Sequence, residues 1–277
     1  MRPKLGIVAG GGDLPVKLVA ACRAAGREVF VLALEGQADP AAAEGVPHVW
    51  IRMGAAGKAL KTLREAGVQD LVMAGRVRRP SLSELRPDWR ATKLFAKLGA
   101  SALGDDGLLS AVVRELEEVE GFRVTAPDEL LGDLVAPTGP LGRHEPDDSA
   151  RGDIARGFAV ARALGALDVG QAVVVQGGLV LGVEAIEGTD ALIARCATLR
   201  REGPGGVLVK TCKPGQERRV DLPTVGIETL RGAARAGLRG VAVEAGRSLI
   251  LDRDAMIRMA DESGLFLIGV DPATGVK

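Results

Sequence analysis

The densest group of side chains able to do chemistry lies in the stretch KTCKPGQERRVDLPT. Lys210 and Lys213 supply positive charge, Gln216 supplies an amide, and Asp221 and Thr224 are predicted at a helix N-terminus. An anion there would meet both cations and unpaired backbone N–H groups. We therefore predict that Lys210 and Gln216 bind substrate. From the residues alone, Asp221 is either a catalytic carboxylate or an ordinary helix N-cap.

Acidic side chains gather in a second stretch, VEAIEGTDAL, at a predicted strand-to-helix turn. Glu184, Glu187 and Asp190 fall within seven positions, and Thr189 can donate or accept a hydrogen bond. Carboxylates this close repel one another unless a cation or a basic partner is present. A further acidic pair, in GDDGLL at residues 104–109, is either a helix cap or part of a Mg²⁺ site.

Two loops are predicted at the carboxyl ends of strands in the first half of the chain. Gly10, Gly11 and Gly12 in AGGGDLP open a helix, an arrangement that often binds phosphate. Arg76 leads the second loop, AGRVRRP, whose guanidinium groups suit phosphate oxygens or a solvated loop equally. We predict that these residues contact substrate. GGGDLP lacks the third glycine of GxGxxG, which disfavours a standard nicotinamide site.

Composition excludes several classes of protein. The 277 residues contain 36 Lys+Arg and 36 Asp+Glu with 3% aromatic side chains, which argues against nucleic-acid binding. Two histidines and three separated cysteines do not make a zinc site, and there is no GxSxG of a serine hydrolase. Carboxylate and cation chemistry on a phosphate-bearing substrate remains, with Mg²⁺ as the expected cofactor.

Strands and helices alternate through the first half of the sequence, which predicts parallel βαβ units. We predict an α/β protein with a Rossmann-like N-terminal domain at 1–131, a Pro- and Gly-rich linker at 132–148, and a C-terminal α/β domain with a mixed sheet at 149–277. The second domain is predicted to contain the hairpin AVVVQ-GG-LVLGVEA and helices at 189–201 and 222–236. GVAVEA and SLILD are expected to pair.

One predicted helix, RPDWRATKLFAKLG, has a basic face. Arg86, Arg90, Lys93 and Lys97 recur at steps of four, three and four residues, beside an apolar face. This pattern suits an anionic membrane surface or a core-facing helix with a solvated side. The N-terminus has no apolar signal region, so we expect a cytoplasmic protein, with peripheral contact to the inner face of the inner membrane. We also allow for a homodimer.

Five segments of the chain, in this order, carry a family resemblance: KLGIVAGGGDLP, GDDGLL, DVGQAVVVQGGLVLGVEAIEGTDAL, KTCKPGQERRVDLPTVGIETL and EAGRSLILD. Together they resemble the UDP-2,3-diacylglucosamine pyrophosphatase family of lipid A biosynthesis, the type unrelated to calcineurin-like phosphoesterases. The resemblance covers nearly the whole chain and is strongest from Asp168 to Asp252.

The resemblance implies a two-domain, Mg²⁺-dependent hydrolase with a lipid chamber between its domains. It would split the pyrophosphate of UDP-2,3-diacylglucosamine into UMP and 2,3-diacylglucosamine 1-phosphate. Asp221 matches the family's essential aspartate in V-D-L-P-T, and Lys213, Gln216 and Thr224 lie in the longer motif KTCKPGQERRVDLPTVGIETL. The resemblance therefore predicts Asp221, Lys213 and Thr224 as catalytic residues. Glu187 and Asp190 match E-G-T-D and are predicted to bind the metal with Asp221. The alternatives are a non-catalytic nucleotide-sugar sensor and a nicotinamide-dependent oxidoreductase.

Overall fold

The structure is a computed structural model that describes residues 2–78, 85–98 and 105–275, without the side chains of 94–98, 105 and 106. The chain forms two compact units. The first comprises Met1–Gly132 together with the short segment Glu217–Asp221, and the second comprises Asp133–Gln216 and Leu222–Lys277. Each unit is described by itself below.

The N-terminal unit is built on a parallel sheet of five strands in the order β3-β2-β1-β4-β5. The strands are β1 Leu5–Ala9, β2 Val29–Leu34, β3 His48–Ile51, β4 Asp70–Ala74 and β5 Arg123–Val124. The helices are α1 Asp13–Ala24, α2 Ala56–Glu65, α3 Trp89–Leu98, α4 Asp105–Arg114 and α5 Pro127–Leu130. A 3-10 turn, Pro40–Ala43, follows β2, and a π-helical turn, Glu115–Val119, continues α4.

Crossover helices cover this first sheet, so its central strands are buried on both faces. Leu5 and Ile7 of β1 are fully buried, as are Leu71 and Val72 of β4. Continuous apolar strands of this kind are typical of parallel sheets with helices packed on them. The predicted Rossmann-like parallel domain is confirmed.

The second unit contains a mixed sheet of six strands in the order β6-β13-β11-β9-β7-β8, plus the strand pair β10–β12. The strands are β6 Gly139–Pro140, β7 Ala172–Gln176, β8 Leu179–Val183, β9 Val207–Lys210, β10 Thr224–Val225, β11 Gly240–Glu244, β12 Leu249–Ile250 and β13 Phe266–Val270. The helices are α6 Asp148–Ala166, α7 Thr189–Cys196, α8 Ile227–Arg235 and α9 Arg253–Glu262, with 3-10 turns at Gly132–Leu134 and Ala197–Leu199.

The predicted hairpin forms from β7 and β8, which pair in antiparallel fashion. Gly177 and Gly178 have φ of 57° and 77°, the left-handed values that a two-residue hairpin turn requires. Asp153 of α6 is 1% exposed and accepts hydrogen bonds from both of these turn amides, at 3.1 and 2.7 Å. The buried carboxylate thereby fixes the turn to the helix. The antiparallel pairs and the parallel pairs occur in one sheet, so the predicted mixed sheet is confirmed.

Local structure differs from the sequence prediction at four places in the second unit. Of the stretch 132–148 predicted as a linker, residues 133–148 group with this unit, in which β6 pairs with β13. The helix predicted at 222–236 begins only at Ile227, since the preceding residues form β10. The pairing expected of GVAVEA with SLILD was wrong: β11 pairs with β9 and β13, whereas β12 pairs with β10.

The helix expected at 189–201 ends sooner than predicted. α7 stops at Cys196 and continues as a 3-10 turn through Leu199. Across the described residues, no helix combines the length and apolar character needed to span a membrane.

Candidate active site

A buried polar chain connects the end of β9 to the start of α7 within the second unit. Lys210 Nζ donates to Thr189 Oγ1 at 3.0 Å, and Thr189 Oγ1 donates to Glu184 Oε1 at 2.5 Å. Lys210 and Glu184 are 8% and 6% exposed. The hydroxyl of Thr189 therefore links a buried ammonium group to a buried carboxylate, and each charge is compensated by the other.

Thr224 belongs to the same group of residues. Lys210 Nζ donates a second hydrogen bond, of 3.1 Å, to the backbone oxygen of Thr224. The Thr224 hydroxyl donates to Leu222 O at 3.0 Å. Lys210 and Thr224 were both predicted as site residues, and the structure brings them together. Thr224 lies in β10, and α8 begins only at Ile227, so the predicted position of Thr224 at a helix N-terminus was wrong.

Lys213 forms an ion pair with the half-buried Asp168 in this unit. Its Nζ lies 2.6 Å from Asp168 Oδ1, and its side chain is 8% exposed. Asp168 has φ of 53°, a left-handed backbone conformation that is costly outside glycine and that often occurs at functional sites. Gln216 Oε1 accepts a hydrogen bond from the Lys213 amide at 2.9 Å. Gln216 thus holds the backbone of the loop that presents Lys213.

The three glycines of AGGGDLP lie at the carboxyl end of β1, and their amides bond to the protein itself. Gly10 N donates to Ala74 O and Gly11 N to Arg76 O, each at 2.8 Å. Gly12 N donates to Asp39 Oδ2 at 2.6 Å, so a carboxylate occupies the start of α1. Gly10 is required by close packing, because a Cβ there would lie 2.6 Å from Arg76 O. Substrate binding by these residues stays a prediction.

Asp221 lies in the part of the chain that groups with the N-terminal unit, Glu217–Asp221. Its amide donates to Glu217 O at 3.1 Å, which closes a tight turn. Because α8 begins only at Ile227, Asp221 is not its N-cap. The plain capping role that the sequence left open is therefore removed, while the catalytic role stays a prediction.

Glu187 is bound to an arginine instead of joining Glu184. Arg195 Nη2 lies 2.9 Å from Glu187 Oε1. The pKa of Glu187 is below its usual value because the backbone N–H of Glu187 donates to its carboxylate and because Arg195 contacts it. Asp190 is exposed in the first turn of α7. In the described part of the chain, no three His, Cys, Asp or Glu side chains are grouped closely enough to hold a metal ion. The metal-ligand prediction for Glu187, Asp190 and Asp221 remains untested.

Several predicted candidates lie where the structure describes no side chains. Residues 99–104, and the side chains of Asp105 and Asp106 from GDDGLL, are outside the described part, as is Arg79 of AGRVRRP. Sequence reasoning also missed Asp168 and left Thr189 without a role. Asp168 lies 45 positions from Lys213, so no local spacing pointed to the pair. The only local signal for Asp168 was its place in the turn that precedes β7, where a non-glycine residue can adopt a left-handed backbone conformation.

Comparison with known proteins adds to this geometry. The LpxI N-terminal domain profile matches residues 4–134, and the LpxI C-terminal domain profile matches residues 137–268. A protein of Caulobacter vibrioides named UDP-2,3-diacylglucosamine pyrophosphatase LpxI is 47% identical over 276 aligned residues, which cover 97% of this chain and 98% of that protein. The chain belongs to the LpxI family.

Membership of the LpxI family confirms the resemblance drawn from the motifs, and with it the assignment of the chain to a family of hydrolytic enzymes. The identity extends over both compact units. The buried lysines, Asp168 and the Glu217–Asp221 segment all lie within the residues that the two LpxI profiles match.

Proposed function

We propose that this LpxI-family protein hydrolyses the pyrophosphate bond of UDP-2,3-diacylglucosamine to UMP and 2,3-diacylglucosamine 1-phosphate in lipid A biosynthesis. The observation that carries the proposal is the 47% identity to the Caulobacter enzyme over 97% of the chain. The fold and the two buried lysines are consistent with it. Neither a non-catalytic sensor nor a nicotinamide enzyme is favoured, because the family that the chain belongs to is one of pyrophosphate hydrolases.

In this proposal Lys210 and Lys213 neutralise charge on the pyrophosphate. Hydrolysis of a phosphoric anhydride builds negative charge on the phosphoryl oxygens and on the departing phosphate. An ammonium group in a site of low water content acts on that charge more strongly than one in bulk water. Glu184, through Thr189, and Asp168 hold the two ammonium groups in place before substrate arrives. Asp221 supplies the carboxylate that hydrolysis requires.

Mg²⁺ is part of the proposal. A dedicated three-carboxylate site does not fit the described residues, but Mg²⁺ in phosphate-handling enzymes is commonly held by one or two carboxylates and by the substrate's own phosphates. Asp221 is the residue that we propose to hold it, and the ion would neutralise charge on the phosphoryl oxygens. Glu187 is the weaker candidate because Arg195 already occupies its carboxylate.

Peripheral membrane contact is also proposed, through α3. Trp89 is 81% exposed, and Lys93, one turn further on, is exposed as well. An exposed tryptophan beside a cation suits the interface of an anionic bilayer. Arg90 contributes less to such a face, because its guanidinium lies 2.6 Å from Glu120.

The test of the function is UMP release from the lipid substrate by the purified protein. Asp221→Asn keeps the shape of the side chain and removes its charge, so we expect a loss of at least about 100-fold in kcat. Asp254→Asn makes the same change on an exposed helical turn and should retain full activity. Chelation with EDTA should abolish UMP release, and added Mg²⁺ should restore it. Full activity of Asp221→Asn would contradict the assignment of Asp221, and activity in EDTA would contradict the metal.

A further inference from the structure

The segment that contains Asp221 belongs to a different compact unit from the residues on either side of it. Glu217–Asp221 groups with the N-terminal unit, although Gln216 and Leu222 on either side belong to the second unit. The segment forms a tight turn, because the amides of Val220 and Asp221 both donate to Glu217 O at 3.1 Å. Whatever fixes Glu217 therefore also fixes the backbone of Asp221.

Arg219 holds this turn with both sides of its guanidinium group. Nε and Nη2 donate to the two carboxylate oxygens of Glu217, each at 2.8 Å. Nη1 donates to both oxygens of Glu117, at 2.8 and 2.9 Å. One planar group thus binds two carboxylates, an arrangement for which the fork of arginine is suited and the single ammonium of lysine is not.

The carboxylate of Glu217 and the guanidinium of Arg219 each shift the pKa of the other toward its charged form. The hydrogen bonds from Arg219 lower the pKa of Glu217, and the carboxylate of Glu217, followed by that of Glu117, raises the pKa of Arg219.

Glu117 is itself held in place at the other end of the contact. It lies in the π-helical turn Glu115–Val119, where Glu120 N donates to Glu115 O at 3.1 Å. Glu117 Oε1 also accepts from Val124 N of β5, at 3.3 Å. π-Helical turns are rare and often occur at functional sites, where they reorient a side chain. Here the turn presents a carboxylate to Arg219.

Stability alone does not account for this contact. The side chains of Arg219 and Glu117 are 35% and 32% exposed, and ion pairs at that exposure contribute little to the free energy of unfolding. The guanidinium of Arg219 instead fixes the position and the orientation of the turn, because it binds one carboxylate on each side.

We propose that Arg219 is a positioning residue of the enzyme, acting through Glu217 and Glu117 to hold the carboxylate of Asp221 in its working geometry. The inference rests on the proposed function, because it takes Asp221 as the carboxylate needed for hydrolysis. Misplacing such a group by about 1 Å can cost on the order of 100-fold in rate without loss of substrate binding.

The experiment compares Arg219→Lys, Arg219→Gln and Glu117→Gln with Glu118→Gln, a matched control that removes the neighbouring exposed carboxylate. We expect kcat for UMP release to fall by about 10-fold or more in the first three variants, with KM within about two-fold of wild type. Glu118→Gln should keep wild-type kcat. The double variant Arg219→Gln/Glu117→Gln should be no slower than Arg219→Gln alone, because the two changes break one contact.

A second readout separates this inference from the proposed function. Hydrogen exchange of peptides that cover residues 215–224 should be faster in Arg219→Gln than in Glu118→Gln, whether or not the substrate is the right one. Slow exchange as in wild type, or wild-type kcat in Arg219→Lys, would overturn the positioning role. A raised KM with unchanged kcat would also overturn it, since that result describes substrate binding. Failure of the proposed function would instead appear as no UMP release by the wild-type protein, with the exchange difference intact.

Discussion

Thr189 gives the sharpest test of the buried polar chain in the second unit. Its hydroxyl is the sole bridge described between Lys210 and Glu184, donating to one and accepting from the other. Thr189→Val replaces this hydroxyl by a methyl group of similar size, so neither a cavity nor a clash is expected. The perturbation therefore isolates two hydrogen bonds to buried charges.

The size of the expected loss in stability depends on the hydrogen bonds that Lys210 and Glu184 keep in Thr189→Val. Lys210 keeps the backbone oxygen of Thr224 at 3.1 Å, and Glu184 keeps the amide of Gln171 at 3.0 Å. Hydrogen bonds to charged groups contribute about 1.5–3 kcal/mol each, and the partners that remain compensate in part. We therefore expect Thr189→Val to lower the free energy of unfolding by about 2–4 kcal/mol.

The assay is urea unfolding followed by far-UV circular dichroism, which reports on both units. Intrinsic fluorescence is less suitable, because both tryptophans, Trp50 and Trp89, belong to the N-terminal unit. Thr189→Ser keeps the hydroxyl and should recover most of the loss. Thr198→Val makes the same substitution at an exposed position of the same unit and should change stability by less than about 0.5 kcal/mol. The reasoning is refuted if Thr189→Val is as stable as Thr198→Val.

Two further predictions concern the N-terminal unit, and tryptophan fluorescence during urea unfolding can follow both. Gly10→Ala should destabilise this unit by about 1–3 kcal/mol, because its Cβ would lie 2.6 Å from a backbone oxygen, whereas Gly132→Ala has open space and should be near neutral. Glu217 has a lowered pKa through Arg219, so its contribution is present above the ordinary glutamate pKa and is lost as pH falls through the lowered one. The stability difference between wild type and Glu217→Gln should therefore be constant from about pH 5 to 8 and shrink below about pH 4; a difference that grows on acidification would contradict this sign.

Local sequence patterns predicted the elements of this fold well. The alternation of short apolar strands with amphipathic helices predicted the parallel sheet of the first unit, and Gly177-Gly178 predicted the hairpin turn. Both signals act over a few residues, where backbone preference and side-chain period decide the outcome. The start of α8 was misplaced because β10 is only two residues long and is stabilised by pairing with β12, which no local pattern reveals.

The site was predicted less completely, because its contacts join distant positions. Lys210 was identified as a charge, but its partner Thr189 lies 21 positions away, and Asp168 lies 45 positions from Lys213. Two members of the acidic cluster, Glu187 and Asp190, were predicted as metal ligands, and that prediction stays untested. Spacing did not show that Glu184 turns inward to Thr189 and Glu187 outward to Arg195. Spacing along the chain shows which side chains are near in sequence, and the sheet decides which of them meet.

The charged stretch KTCKPGQERRVDLPT shows why spacing was misleading there. It is continuous in sequence, but Lys210, Lys213 and Gln216 group with the second unit, whereas Asp221 groups with the N-terminal unit. The lysines are held by neighbours in their own unit, and the turn of Asp221 is held by Arg219 through Glu117, 102 positions away. Variants of the lysine pairs should therefore loosen the second unit, whereas Arg219 variants should leave those pairs intact and change exchange only around the turn.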